Sequence, residues 1–399
     1  MPRPITFCAA ILVVSAAATC LVAKETKVSI TIEREHPDAE VRRRPPFSGQ
    51  RPAVDVAILL DTSNSMDGLI NQAKSQLWTI VQEFAKAEKH GQAPQLRVAL
   101  FEYGNTRLPA AEGYIRQVVP LTDDLDKLSE SLFALSTSGG DEYCGQVIDE
   151  AITRLDWFKE PNGYKAIFIA GNEPFTQGSV DYRAACKRAI ERGVVVNTIH
   201  CGSHGEGVAG KWQHGAQLAE GEFFNIDQDR AVVHIDCPQD KIIIRLNAEL
   251  NKTYLWYGAK QDRDHYAENQ VAQDSNAEQV GAGTASDRSI AKASGAYGNF
   301  SRDLVDTMAE DGEILKKVKL EELPDVLKDL PLNEREAYVK KMAAKRAQVQ
   351  KEISSLAAER ESYLAKERKR LAEESGDATL GDAVVAAIRQ QLAKSGFEN

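Results

Sequence analysis

The run Val54 to Leu60, VDVAILL, is apolar at every position except Asp55, with no alternation between apolar and polar residues. A strand of that composition is buried on both faces, which requires layers of helix above and below it. The segments that follow agree. A helical pattern spans Leu69 to Ala87, then LRVALFEY and YIRQVVPL read as strands, followed by helices over Leu125 to Leu135 and Val147 to Phe158. KAIFIA, VVVNTIH and EFFNI supply three more strands, separated by helices around Tyr182 to Glu191 and Trp212 to Ala219. Strands alternating with helices predict an α/β domain, a doubly wound and mostly parallel sheet covered on both faces, over residues 54–236.

In such sheets ligands sit outside the carboxyl ends of the strands. The first strand ends there in DTSNSM, placing Asp61, Ser63 and Ser65 two residues apart. One carboxylate and two hydroxyls are hard oxygen donors suited to Mg²⁺, or to Mn²⁺ or Ca²⁺, and they leave coordination positions open. This Asp-x-Ser-x-Ser pattern after a buried strand resembles the metal-ion-dependent adhesion site of von Willebrand factor type A domains. The resemblance implies a non-enzymatic module in which a protein ligand completes the cation's shell with its own carboxylate.

It also implies two further loops at the same edge. In STSGGDEYCGQVIDEAI the fourth ligand is expected four residues before Gly145, at Asp141, with the neighbouring Glu142 able to replace it in another loop conformation. Either acid would equally suit the N-terminus of the following helix. The loop after KAIFIA departs from the family. Relatives usually end that strand in Thr-Asp-Gly, whereas this chain has Ala170, Gly171 and Asn172, so Asn172 or Glu173 is the candidate for the missing acid. Asp67 resembles an adjacent second cation site, but an acid in the first turn of a helix is the plainer reading.

The flanks suggest an address. Residues 1–23 combine Arg3 with an apolar stretch too short to span a bilayer, as a secretory signal peptide does, and no later stretch has the roughly twenty apolar residues of a membrane helix. The expected location is therefore exported, periplasmic or extracellular. Cys20 raises the alternative of a lipoprotein, against which Ala17 argues. The formal net charge of -10 disfavours nucleic acid as a partner. Cys144, Cys186, Cys201 and Cys237 remain beyond the signal region, where disulfides are permitted and buried thiols are the alternative.

Residues 24–53 form a short alternating run and a linker rich in proline and arginine. Residues 237–303 comprise a helix with an aromatic end, LNAELNKTYLWYG, and a polar stretch over 259–296 that lacks apolar periodicity and reads as a loose helix or partly disordered connector. These two features resemble exported bacterial proteins of the same family. Residues 304–399 read as helical. Met342, Val349, Leu356 and Tyr363 recur every seven residues, and a second row, Val339 and Ile353, is interrupted by Arg346 and Arg360. A helical hairpin or partial coiled coil is expected, with Leu380, Val384, Ile388 and Leu392 as its packing partner across a turn at Gly376 and Asp377. A scaffold acting through this tail is one alternative function.

An enzyme is the other. Gly205, Gly207 and Gly210 spell G-x-G-x-x-G after a strand, with Asp227 downstream, but a dinucleotide fingerprint belongs in the first strand-to-helix turn and this one falls late. His200, Cys201, His204 and His214 lie close in sequence without a zinc-site spacing.

Overall fold

The computed structural model describes residues 51–67, 70–71, 79–80, 83–84, 87–160, 163–226, 235–375 and 380–398. The signal segment, most of the 24–53 linker, Asp227 and the turn at Gly376 and Asp377 lie outside them. Six strands form one sheet in the order β3-β2-β1-β4-β5-β6. They are β1 (Ala53–Asp61), β2 (Gln95–Tyr103), β3 (Ile115–Thr122), β4 (Gly163–Gly171), β5 (Val194–Cys201) and β6 (Phe223–Ile226). Every pairing is parallel except that of β3, which runs antiparallel on β2. All six expected strands are present.

β1 lies in the middle and is buried at every residue. Its even-numbered side chains Val54, Val56, Ile58 and Leu60 join one core, and Ala57 and Leu59 join the core on the opposite face. This two-sided burial is what the unbroken apolar run requires. The one acid inside it, Asp55, is satisfied at the far end of the sheet by Arg97, at 2.6 and 2.8 Å, and by the Phe158 amide at 2.9 Å. The helices Cys144–Arg154, Tyr182–Glu191 and Trp212–Leu218 cover the face of Leu59. The helix expected over Leu69 to Ala87 is helical at Ile70, Asn71, Thr79, Ile80, Glu83 and Phe84, with Ile80 and Phe84 on the opposite face, whereas Ala87 is not helical.

That opposite face is covered largely by the C-terminal region. The helices Asp240–Asn251, Leu332–Ser375 and Leu380–Lys394 contribute Ile243, Leu250, Val349, Ile353, Val384, Ile388 and Leu392 to the same core as Val54 and Val56. On the last helix, Gln391 exchanges amide hydrogen bonds with Asn197 of β5, donating at 2.7 Å and accepting at 3.2 Å. The chain end then pairs with Glu88, whose backbone exchanges two hydrogen bonds of 2.7 Å with Glu398. The tail is part of the domain's core.

Two expectations about this region need correction. The polar stretch 259–296 is two ordered helices, Lys260–Val280 and Ala282–Ala293, which bury Gln270, Asp274, Arg288 and Lys292. Its buried face is polar, so no apolar period marks it. The second heptad row is not broken either, since Val339, Arg346, Ile353 and Arg360 are all buried along the helix Leu332–Ser375. Arg346 donates to Asp303 and Asp306, both at 2.7 Å, and Arg360 to Asp240 at 2.7 Å and Asp287 at 2.8 Å. The long helix thus packs into a bundle rather than a two-stranded coil. The cysteines are settled as well, for Cys144, Cys186, Cys201 and Cys237 are all buried free thiols.

Candidate functional site at the carboxyl edge of the sheet

β1, β2, β4 and β5 all end at one edge, bringing Asp61, Tyr103, Gly171 and His200 into one layer. The turn after β1 is built by Asp61 itself, whose Oδ1 accepts from the Ser63 amide at 2.7 Å. This local bond turns the chain back, so that Ser63 and Ser65 hydroxyls lie 2.8 Å apart over the strand end. Ser65 donates onward to Asn172 Oδ1 at 3.1 Å. Asp61, Ser63, Ser65 and Asn172 are therefore one connected group.

The second loop meets them through Glu142 rather than Asp141. Glu142 is buried beside Asp61 and Ser63, close enough for both side chains to act on its carboxyl. Asp141 is exposed and accepts from the Tyr143 hydroxyl at 3.1 Å. Asp141 and Tyr143 share the outer side, which leaves Glu142 facing in. The loop is pinned to the first by the Ser138 amide donating to Thr62 at 2.9 Å, and by Asn105, which bridges Thr62 and the Ser136 carbonyl. Gly104, at φ +79°, allows the close approach: a Cβ there would stand 2.7 Å from Glu142 Cγ and 2.8 Å from Asp61 Oδ1.

The third loop lacks its acid because there is no room for one. A Cβ at Gly171 would lie 2.4 Å from the Tyr103 hydroxyl, 3.0 Å from Trp212 and 3.2 Å from Asp61 Oδ2. Tyr103 fills that space and donates to the Ala170 carbonyl at 2.8 Å. The loop supplies Asn172 instead. Glu173 stands behind, half-buried, held by Gln177 at 3.1 Å, while its carbonyl accepts from Trp212 Nε1 at 2.8 Å. Tyr103, Gln177 and Trp212 were not legible as site residues, since each belongs by composition to an ordinary strand, loop or core.

The electrostatics of the cluster are one-sided. Burial, followed by the charge of Asp61, pushes the Glu142 carboxyl up to about 9. Burial likewise raises Asp61, and Glu173 adds repulsion to both. Two acids this close titrate as a pair, and burial and mutual charge favour keeping one proton on it. Among the described residues, Asp61 Oδ2 and Glu142 Oε2 are buried without a hydrogen-bond partner. Two orphaned carboxylate oxygens beside two hydroxyls and an amide oxygen form a donor set that fits a hard divalent cation. Among the described residues no three His, Cys, Asp or Glu side chains could hold a metal by themselves, so the hydroxyls are essential to the fit.

Residues 55–231 match the family model described as von Willebrand factor type A domain. This part of the chain is a von Willebrand factor type A domain. Among solved structures it is similar to the SpRpn10 VWA domain, at 17% identity over 45% of this chain and 90% of that one, TM-score 0.36. It is also similar to BatB from Bacteroides thetaiotaomicron, at 15% identity over 55% and 98% of the two chains, TM-score 0.33. A third likeness is proximal thread matrix protein 1 from the mussel byssus, solved with a zinc-occupied MIDAS motif, at 15% identity over 45% and 43%, TM-score 0.32. No curated protein matches the sequence. Von Willebrand factor type A domains are usually non-catalytic modules that bind protein ligands through divalent cations at this edge.

The competing motifs have structural uses. Gly207 lies in the short helix His204–Ala209, where a Cβ would stand 2.7 Å from Phe223 and 2.9 Å from His200, and the Gly210 carbonyl accepts from Phe175 at 2.8 Å. These glycines serve close packing beneath the loop. The histidines diverge: His200 Nε2 is 3.3 Å from the Asn172 carbonyl, His204 packs on Phe223, and His214 Nδ1 pairs with the Tyr182 hydroxyl at 2.9 Å. Asp67 accepts from Thr137 at the rim.

Proposed function

We propose that this chain is an exported binding protein that captures a partner through a divalent cation, most simply Mg²⁺, at the carboxyl edge of its sheet. Asp61, Ser63, Ser65 and Glu142 would hold the cation, and Asn172 would orient Ser65. The observation that carries the reading is the pair of buried oxygens without partners, Asp61 Oδ2 and Glu142 Oε2, set against the two serine hydroxyls. A cation there would supply a positive centre able to accept a carboxylate from a protein ligand. Ser63 and Ser65 give neutral donors, which leave part of the cation's charge uncancelled. The rest of the domain keeps the donors preset: the Asp61 turn is locked by the Ser63 amide, and the Glu142 loop is tied to Thr62 and Asn105.

Isothermal titration of the purified protein with Mg²⁺ and Mn²⁺ tests this. One cation per chain is expected, with affinity lowered by about 100-fold or more in Asp61→Ala. Partner capture from an envelope extract should occur in Mg²⁺ and fail in EDTA. Cation binding that survives Asp61→Ala would overturn the reading.

A further inference from the structure

The chain offers two adjacent acids for one position in the site, and something must decide between them. Asp141 and Glu142 sit side by side on a loop without regular hydrogen bonding of its own. Among the described residues, the bond that fixes the Glu142 backbone from outside the loop comes from Gln177, whose Oε1 accepts from the Glu142 amide at 3.1 Å. Its other atom faces the opposite way, since Gln177 Nε2 donates to Glu173 Oε2 at 3.1 Å.

Gln177 is itself anchored. Its amide donates to the Pro174 carbonyl at 3.1 Å, and the surrounding loop is tied down by Phe175 to Gly210 and by Trp212 to the Glu173 carbonyl, both at 2.8 Å. The amide side chain thus links the second and third loops of the site, through a backbone group on one and a carboxylate on the other. A primary amide suits this task because it presents an acceptor and a donor at once. No other side chain type of that length does so without adding charge.

We infer that Gln177 is a positioning residue for the cation site: by holding the Glu142 amide it turns Glu142 inward and Asp141 outward, and it holds Glu173 back from the cluster. This rests on the proposed function, since it concerns how the chain presents oxygens to a cation. It goes beyond that reading by assigning the choice of ligand to a residue that would touch neither cation nor partner.

The test is Mn²⁺ affinity by titration calorimetry across single and double variants, with unfolding in EDTA measured on each. In the otherwise native chain Glu142→Gln should weaken Mn²⁺ by about 100-fold and Asp141→Asn by less than about 2-fold. Gln177→Ala should weaken it by about tenfold, in the range seen when groups that orient metal ligands are removed. The decisive arm is Asp141→Asn on the Gln177→Ala background, where a further loss of several-fold is expected, because the freed loop presents both acids. A purely structural role for Gln177 would lower stability without creating that dependence. If the alanine variant does not fold, Gln177→Glu, which keeps the acceptor for the Glu142 amide but loses the donor to Glu173, should retain the preference for Glu142 while releasing Glu173. Mn²⁺ affinity in Gln177→Ala equal to that of the native chain, or an Asp141→Asn effect as small there as in the native chain, overturns the inference. Failure of the site itself reads differently, as Mn²⁺ binding indifferent to Asp61→Ala in the native chain.

Discussion

This fold holds two buried acid clusters, and they are built on opposite rules. In the C-terminal region Asp274 accepts from Arg288 at 2.6 Å, from Lys292 at 2.9 Å and from Asn247 and Asn251 at 2.9 and 2.7 Å. Despite its burial, the Lys292 and Arg288 charges hold its carboxyl well below the usual range. Arg288 also reaches Asp126 at 2.7 Å, and Arg302 pairs with Asp124, so residues from 237–303 grip the N-cap and the first turn of the helix Leu125–Ala134. At the sheet edge, Asp61 and Glu142 face each other with the charge of Glu173 behind them, and their carboxyls are pushed up. An acid supplied with its own cations is finished as structure. An acid pair that repels itself in the folded state is incomplete, and a cation from solution is what would complete it.

The largest test of this contrast is Arg288→Met. It removes the guanidinium that Asp126 and Asp274 share, leaving Asp126 to Tyr297 and Asp274 to Lys292 and two asparagines, and removing one partner of a buried ion pair costs about 3–5 kcal/mol. Chemical denaturation should register that loss, while the Mg²⁺ affinity of the folded fraction stays within about twofold of native. A large fall in affinity would show that the two clusters are not independent. A smaller effect is expected from the cation. Mg²⁺ at about 100 times its dissociation constant should stabilise the native chain by about 2.7 kcal/mol, and Asp61→Ala should erase that gain. Equal stabilisation of the two proteins would place the cation elsewhere.

How much of this was legible in the sequence follows from the same contrast. The sheet could be read because its strands are apolar on both faces, and β1 carries Asp61, Ser63 and Ser65 to its end by register alone. The choice of Glu142 over Asp141 could not, because it depends on which of two neighbours faces inward, and that is fixed by Gln177 from a loop 35 residues away. The absent acid at Gly171 was visible, but its cause was not, since Tyr103 fills the space from another strand. The tail was misread for a different reason. Hydrophobic periodicity detects apolar faces, whereas Gln270, Asp274, Arg288 and Lys292 bury polar ones. Their signal was present in another form, as Arg288 and Lys292 stand four apart on one helix opposite Asp274 on its neighbour.

The smallest effect is also the one that separates the clusters by sign. Glu142 has its carboxyl raised from an ordinary 4.5 to about 9, so between those values the native chain binds more protons than the unfolded chain. Stability without cation should therefore fall as pH rises from about 5 to 9, by on the order of 1 kcal/mol once the pair's shared proton and partial hydration are allowed for. Asp274 runs the other way. Its lowered carboxyl contributes stability that is complete above the ordinary 3.8 and is lost only as pH falls below it. Denaturation midpoints across that pH range in EDTA should decline for the native chain and flatten in Glu142→Gln, which removes one member of the pair. Saturating Mg²⁺ should abolish the decline, because a bound cation takes the place of the shared proton. A decline that persists in Glu142→Gln would mean that the proton resides elsewhere, and the cluster would lose its claim to be an unfinished cation site.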